Sequence, residues 1–294
     1  MIEHRQLRYF LALAEHLHFG KAAQAVHLTQ PSLSRQIAAL EEKLGTALFA
    51  RHSRAVSLTA AGADFRQHAR AVIAALDLAV RSTQASARGE QGELRVSVTS
   101  VAAWTLMPAL LKRYTESYPA VRVELNELLP KDLGAAVEAG DTDLALTFRM
   151  LEGEHTRYFP LHTEALCAAL PASHPGASDP AFNLAQLRDE PFILCPRVNA
   201  SLLHDSVHEC CRRAGFVPRT RIQPHLQQTI VNLVAEGLGV SLVPASMRKM
   251  QLPGVVFRTL DDSPSIEFGI LWNRHNDNPC LGNFLRHVGA GEPR

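Results

Sequence analysis

The hydrophobic period of this chain changes once, at residues 89–92, and that change constrains the fold more than any other feature. Before it, apolar residues recur every three to four positions; beyond it, short alternating runs are separated by helical stretches. The 294 residues are enough for two or three compact units. With 46% apolar residues, the helical front and the α/β body can each bury a core.

In the front, Leu7, Phe10, Leu11, Ala14 and Leu17 predict an amphipathic helix ending near His18. A shorter helix buries Phe19, Ala22, Ala23 and Val26, whose alanines permit the close approach that a helix-turn-helix corner needs. After the turn His27-Leu28-Thr29, Thr29 caps a third helix, Pro31 fits its first turn, and Leu33, Ile37, Leu40 and Leu44 form its inner stripe before Gly45 ends it. Gln30, Ser32, Ser34, Arg35 and Gln36 are left outside at the amino-terminal end, which a recognition helix presents to the major groove. Gln pairs bidentately with adenine and Arg with guanine, while Ser suits a base or a phosphate. Residues 48–59 read as two short strands around a basic turn, a wing whose Arg51 and Arg54 would reach phosphates or the minor groove. The candidate DNA contacts are therefore Gln30, Pro31, Ser32, Ser34, Arg35, Arg51 and Arg54. Net charge agrees in sign: residues 1–58 carry +3 and the remainder −2. Residues 59–87 predict one long helix, about 40 Å at 1.5 Å per residue, with Gly62 tolerated in its first turn. Its positions Phe65, Ala69, Val72, Leu76 and Ala79 alternate by four and three, a seam for a second copy.

In the body, Leu94, Val96 and Val98 read as a strand, 104–117 as a helix, 121–125 as a strand, 130–139 as a helix and 143–148 as a strand. The pattern repeats with strands at 166–170, 192–195 and 240–243 and helices at 204–214 and 229–236; strand-like segments at 255–258 and 269–272 follow. Strands alternating with helices predict a mostly parallel sheet, and two such subdomains would enclose a cleft for a small molecule. Thr99, Ser100 and Val101, Thr147 and Arg149, Cys195 and Asn199, and Gln227 and Thr229 sit at strand ends or helix starts and are the candidate cleft residues.

The segment from His18 to Ile37, followed by Leu40-Glu41, Leu44-Gly45, Leu48-Phe49-Ala50-Arg51 and Leu58-Thr59-Ala60-Ala61-Gly62, resembles the signature of the LysR-type transcriptional regulators. Leu106-Met107-Pro108, Gly140-Asp141-Thr142-Asp143-Leu144-Ala145, Leu170-Pro171 with His174-Pro175, and the run from Val234 to Pro244 extend the resemblance along the body. The resemblance implies a winged helix-turn-helix at 1–58 and a dimerising linker helix at 59–88. It further implies a two-subdomain α/β effector domain at 89–294, similar to periplasmic binding proteins, with subdomain I at about 92–162 and 265–290 and subdomain II at about 163–264. The implied partners are double-stranded promoter DNA, a small-molecule effector, RNA polymerase, and copies of the chain assembling from homodimer to homotetramer, in the cytoplasm. The head is nearest the branch regulating aromatic-compound degradation, whose effectors are small aromatic or dicarboxylic acids. Where that branch carries a hydroxyl residue seven before the proline of Leu-Met-Pro, this chain has Val101, with Ser100 beside it.

Other readings are weighed on the same residues. Cys210-Cys211 lies near one partner of the cysteine pair used by a peroxide-sensing branch, but the reactive position falls at Leu202, and vicinal helical cysteines point apart. His204, His208 and Cys211 are spaced for one helix face, a pattern that suits a borderline metal. Five cysteines at unpatterned spacings read as reduced thiols. No Gly-rich phosphate loop, nucleophile elbow or HExxH motif supports an enzyme, no cofactor is implied, and neither an export signal nor a membrane-length apolar run is expected.

Overall fold

The computed structural model describes residues 1–52, 55–150 and 153–290 and divides into two compact units, Met1–Ala85 and Ser86–Arg294. In the first, α1 (His4–His16), α2 (Phe19–Ala25) and α3 (Gln30–Leu44) are followed by the antiparallel pair β1 (Phe49–His52) and β2 (Ala55–Leu58), and then by α4 (Ala60–Ala87). Local chemistry sets the boundaries. The α1 helix stops at Leu17 in a left-handed conformation, the His18 ring accepts the Lys21 amide to open α2, and Gly45 closes α3 at φ 67°. Phe10 is fully buried, with ring centroids 5.3 Å from Phe49 and 5.0 Å from Phe65. Ala22 and Ala23 are buried in the corner.

Two expectations for α4 change. Phe65 and Ala69 pack into this core, so only Val72, Leu76 and Ala79 of the expected seam are exposed. Gly62 is required rather than tolerated: a Cβ there would lie 2.0 Å from the Leu48 carbonyl oxygen, which already accepts the Thr59 amide at 3.0 Å.

The second unit comprises β3 (Gln91–Val98), α5 (Ser100–Thr105), α6 (Met107–Ser117), β4 (Ala120–Glu127), α7 (Pro130–Ala139), β5 (Leu144–Phe148), β6 (Thr156–Pro171), β7 (Pro191–Ile193), α8 (Ser201–Arg213), β8 (Arg219–Ile222), α9 (Gln227–Ala235), β9 (Ser241–Pro244), β10 (Val255–Thr259), β11 (Ser265–Asn273) and α10 (Pro279–His287). The helix expected at 104–117 is two helices, because Pro108 has no amide to donate back across the Leu106 junction.

The sheet is mixed, not mostly parallel. Its seven strands run β10-β6-β11-β5-β3-β4, with β9 also on β6. Only β3 with β4 and β3 with β5 are parallel; β6 and β11 run antiparallel to their neighbours. The 16-residue β6 joins the halves: residues 156–165 pair with β11, and residues 166–171 pair with β9 and β10. A register shift between Phe268 and Gly269 interrupts the ladder between β6 and β11. One core gathers Leu94, Val96, Tyr114, Ile270 and Phe284, and the other gathers Phe192, Leu203, Val207, Val231 and Val243. Val101 and Phe148, from elements of the first half, are buried in the second core.

The first half is also tied through Asp143. Its carboxylate, 2% exposed, accepts from the Arg95 amide at 2.8 Å, the Arg95 guanidinium at 3.0 Å, Asn276 Nδ2 at 3.0 Å and Asn278 Nδ2 at 3.1 Å. Burial alone would raise its pKa, but these hydrogen bonds outweigh it and hold the carboxyl below its ordinary value.

Candidate DNA-binding face and effector cleft

In the head, the inner stripe of α3 is fixed by Leu33, Ile37 and Leu40, all fully buried. That leaves Gln30, Pro31 and Arg35 exposed and Ser32 and Ser34 half-buried on the opposite side of the first two turns. Thr29 Oγ1 accepts the Ser32 amide at 3.4 Å, and Pro31 occupies the first turn. The face therefore combines polar side chains with the positive end of a helix dipole, a combination suited to phosphates and base edges. Arg51 lies in β1 opposite Val56, which places its backbone in the wing; Arg54 lies outside the described residues. One contributor escaped the sequence reading. The Glu41 carboxylate accepts the Leu48 and Phe49 amides at 2.8 and 3.1 Å, fastening the recognition helix to the start of the wing.

In the second unit, two adjoining hollows share Pro130, Phe148 and Ala200. The larger, about 110 Å³, is lined by Thr147, Arg149 and Asn199 together with Lys131 and the start of α8. The smaller, about 20 Å³, is lined by Thr99, Ser100, Val101 and Gln227. Cys195 and Thr229 line neither. Thr229 is exposed on the outer side of α9, and Cys195 is buried behind Gln227, whose side chain hydrogen-bonds its thiol. Thr99 spends its hydroxyl oxygen capping α5, accepting the Ala102 amide at 3.3 Å, and Val101 contributes a wall of the core rather than a polar group. Arg149 is exposed and 3.6 Å from Glu267.

Three candidates stand apart. Thr147, Asn199 and Gln227 are 0%, 3% and 6% exposed, yet Thr147 Oγ1, Asn199 Nδ2 and Gln227 Oε1 have no hydrogen-bond partner. Native interiors rarely leave such groups unsatisfied, because each costs about 1–3 kcal/mol. The Lys131 amide donates to the Asn199 carbonyl at 3.2 Å, a direct bond from α7 to the loop before α8. Lys131, Ala200 and Leu202 were not among the expected cleft residues; they face it only because tertiary structure brings α7 and α8 together.

The cysteine and metal readings find no geometric support. Cys195, Cys210 and Cys211 are buried and unpaired, and burial pushes the Cys195 thiol up to about 11, that of Cys211 up to about 12 and that of Cys210 upward. The His204 and His208 rings stack at 4.1 Å, but Cys211 turns into the core, and among the described residues no group of three ligands is placed for a metal. Among the described residues no helix is long and apolar enough to cross a membrane.

Two family descriptions account for most of the chain. Residues 4–63 match the bacterial regulatory helix-turn-helix of the lysR family, and residues 87–291 match the LysR substrate binding domain. The chain belongs to the LysR family of transcriptional regulators. This LysR-type regulator is 38% identical over 288 residues to the HTH-type transcriptional regulator IlvR of Caulobacter vibrioides, covering 97% of this chain and 96% of that one. It is 33% identical over 294 residues to AlsR of Bacillus subtilis, covering 100% and 97% of the two chains. Among solved structures it resembles the LysR family regulator CbnR, with TM-score 0.89 and 28% identity over 98% of this chain and 100% of that one. It also resembles full-length CbnR complexed with its target DNA, with TM-score 0.84, 28% identity and coverage of 98% and 99%. The regulator thus joins a DNA-binding winged helix-turn-helix to an effector-binding α/β domain and is not an enzyme.

Proposed function

We propose that this regulator acts in the cytoplasm as a homotetramer built from dimers, and that a small organic acid held between the halves of its α/β domain alters its hold on promoter DNA and its recruitment of RNA polymerase. Gln30, Pro31, Ser34 and Arg35 read the major groove, while Ser32, Arg51 and Arg54 position the DNA backbone. Val72, Leu76 and Ala79 on the exposed face of α4 supply the pairing seam. The observation that carries the effector reading is that Thr147, Asn199 and Gln227, each with a buried, unpartnered polar atom, line two adjoining hollows. A polar ligand would satisfy them.

The test is footprinting of the purified protein on the promoter of its own gene at fixed salt, with and without a panel of carboxylic acids. Protection of half-sites spaced by about one helical turn or its multiples, changed in extent or bending by one of the acids, is the expected result. Binding that is only salt-sensitive and independent of sequence would refute the operator reading. Protection that no acid alters would remove the effector.

A further inference from the structure

Resting on the effector reading above, we infer that the cleft is built for a monocarboxylate carrying a hydroxyl or amine donor near its acid group. A dicarboxylic acid, or an acid without that donor, fits it less well.

The 13-residue α8 begins in the larger hollow at Ala200, which provides no side-chain cap, whereas α3 and α10 open under the side chains of Thr29 and Asn278. An open first turn presents amides and the positive end of the helix dipole. Two side chains independently point to an occupant of that hollow: Asn199 Nδ2, a donor, and Thr147 Oγ1, able to donate, are buried there without partners. Lys131 adds positive charge at the rim. A carboxylate satisfies all of these at once.

The adjoining hollow is lined by Gln227, whose Oε1 is a buried acceptor without a partner. Around it stand Val101, Leu128, Phe148 and Leu203. A second carboxylate would set acceptor against acceptor among apolar walls, whereas a hydroxyl or amine would donate to Gln227.

The larger hollow also shares Arg149, Met150, Ser201 and Leu202 with a third hollow of about 700 Å³, so the acid and donor ends are confined while the rest of the ligand has room to extend.

The experiment is calorimetric titration of the full-length protein with glycolate, acetate, acetamide, succinate and benzoate, alongside footprinting with each. Glycolate is expected to bind about tenfold more tightly than acetate, and acetamide, nearly isosteric but neutral, to give no heat where glycolate saturates. Succinate and benzoate are expected to bind more weakly than glycolate. Asn199→Leu and the shape-conserving Thr147→Val should each weaken glycolate at least about tenfold, and Gln227→Leu should erase the preference for glycolate over acetate. Circular dichroism confirms that each variant is folded. Should Asn199→Leu fail to fold, Thr147→Val decides. Acetamide binding as well as acetate overturns the charge assignment, preference for succinate or benzoate overturns the donor assignment, and glycolate binding untouched by Thr147→Val removes it from this cleft. If any of these happens while a larger acid still changes operator protection, the inference fails and the effector reading stands. If glycolate binds as described but no ligand changes protection, the regulatory reading fails and the site stands.

Discussion

Replacing Gly62 by Ala isolates the contact between the wing and the long helix. The added Cβ would stand 2.0 Å from Leu48 O, 2.9 Å from Leu48 C and 3.0 Å from Leu58 Cδ2, and two of these three are backbone that cannot swing aside as a side chain can. To reach ordinary contact, the start of β1 must move away from α4 by more than about 1 Å. That movement stretches the bonds from the Thr59 amide and hydroxyl to Leu48 O, now 3.0 and 3.2 Å, each contributing about 1 kcal/mol. Overpacking adds about 1–3 kcal/mol, and the better helix propensity of Ala returns no more than about 1. The net is a loss of about 2–4 kcal/mol, which for a unit of this size lowers its melting temperature by about 8–32 °C. Scanning calorimetry of the full-length protein should show this in the head transition, with Ala63→Gly as a control in which propensity alone acts and the loss is about 1 kcal/mol. Operator affinity should fall as well, because the displaced strand carries Arg51. A Gly62→Ala protein that melts at or above the wild-type temperature would refute the reasoning, since propensity would then be the only force at that position.

Arg35→Ala should cost about 1–3 kcal/mol in binding to operator and leave binding to random DNA nearly unchanged; equal losses on both, by mobility shift at constant salt, would reassign Arg35 to a phosphate. Leu76→Lys, on the exposed face of α4, should shift the sedimenting species toward monomer without lowering the head's melting temperature, whereas an unchanged oligomer would place the seam elsewhere. Because hydrogen bonds from Arg95, Asn276 and Asn278 hold the Asp143 carboxyl below its ordinary pKa, its stabilisation is present above the unfolded-state value and is lost as pH falls through the lowered folded value. Asp143→Asn should therefore destabilise the α/β domain at pH 7 by about 1.5–3 kcal/mol and flatten the acid limb of its stability curve, and an unchanged acid limb would assign that limb to other groups. With Cys195 and Cys211 shifted to about 11 and 12 by burial, a thiol reagent at pH 8 should modify them only after denaturation; rapid reaction in the native protein would reopen the redox reading.

The head was legible because each of its devices is local. The cap at Thr29, the proline at position 31, the glycine stop at 45 and the spacing from Leu33 to Leu40 all act within a turn or two of their own position. Where the sequence reading failed, long-range pairing or a short run with weak helix formers hid the signal. The first half of β6 contains Pro160, His162 and Glu164 and does not alternate cleanly; β11 makes it a strand from more than a hundred residues away. The α10 helix escaped the sequence reading for another reason: it is only nine residues long and contains Pro279 and Gly282, both weak helix formers, although residues 280–285 are all buried. Gly62 was misjudged because its neighbour, Leu48, is close in space but on another element.

The cleft lies between these cases, and the difference is instructive. Its residue types and strand-end positions were readable, so Thr147, Asn199 and Gln227 could be named from the sequence, but so were Cys195 and Thr229, which line neither hollow. Position at a helix start does not determine which way a side chain leaves the helix; that depends on what packs against it. What separates the two groups is whether burial leaves a polar atom without a partner. Thr229 is exposed, so water satisfies it, and the Cys195 thiol meets the Gln227 amide. Thr147 and Asn199 are sealed from solvent by elements distant in sequence, and the Asn199 carbonyl is simultaneously bound to the Lys131 amide of α7. One residue thus offers its side chain to the cavity and its backbone to the opposite wall. A ligand drawing on Asn199 Nδ2 would act on the same short segment that joins the two halves, which gives its binding energy a direct route to their separation.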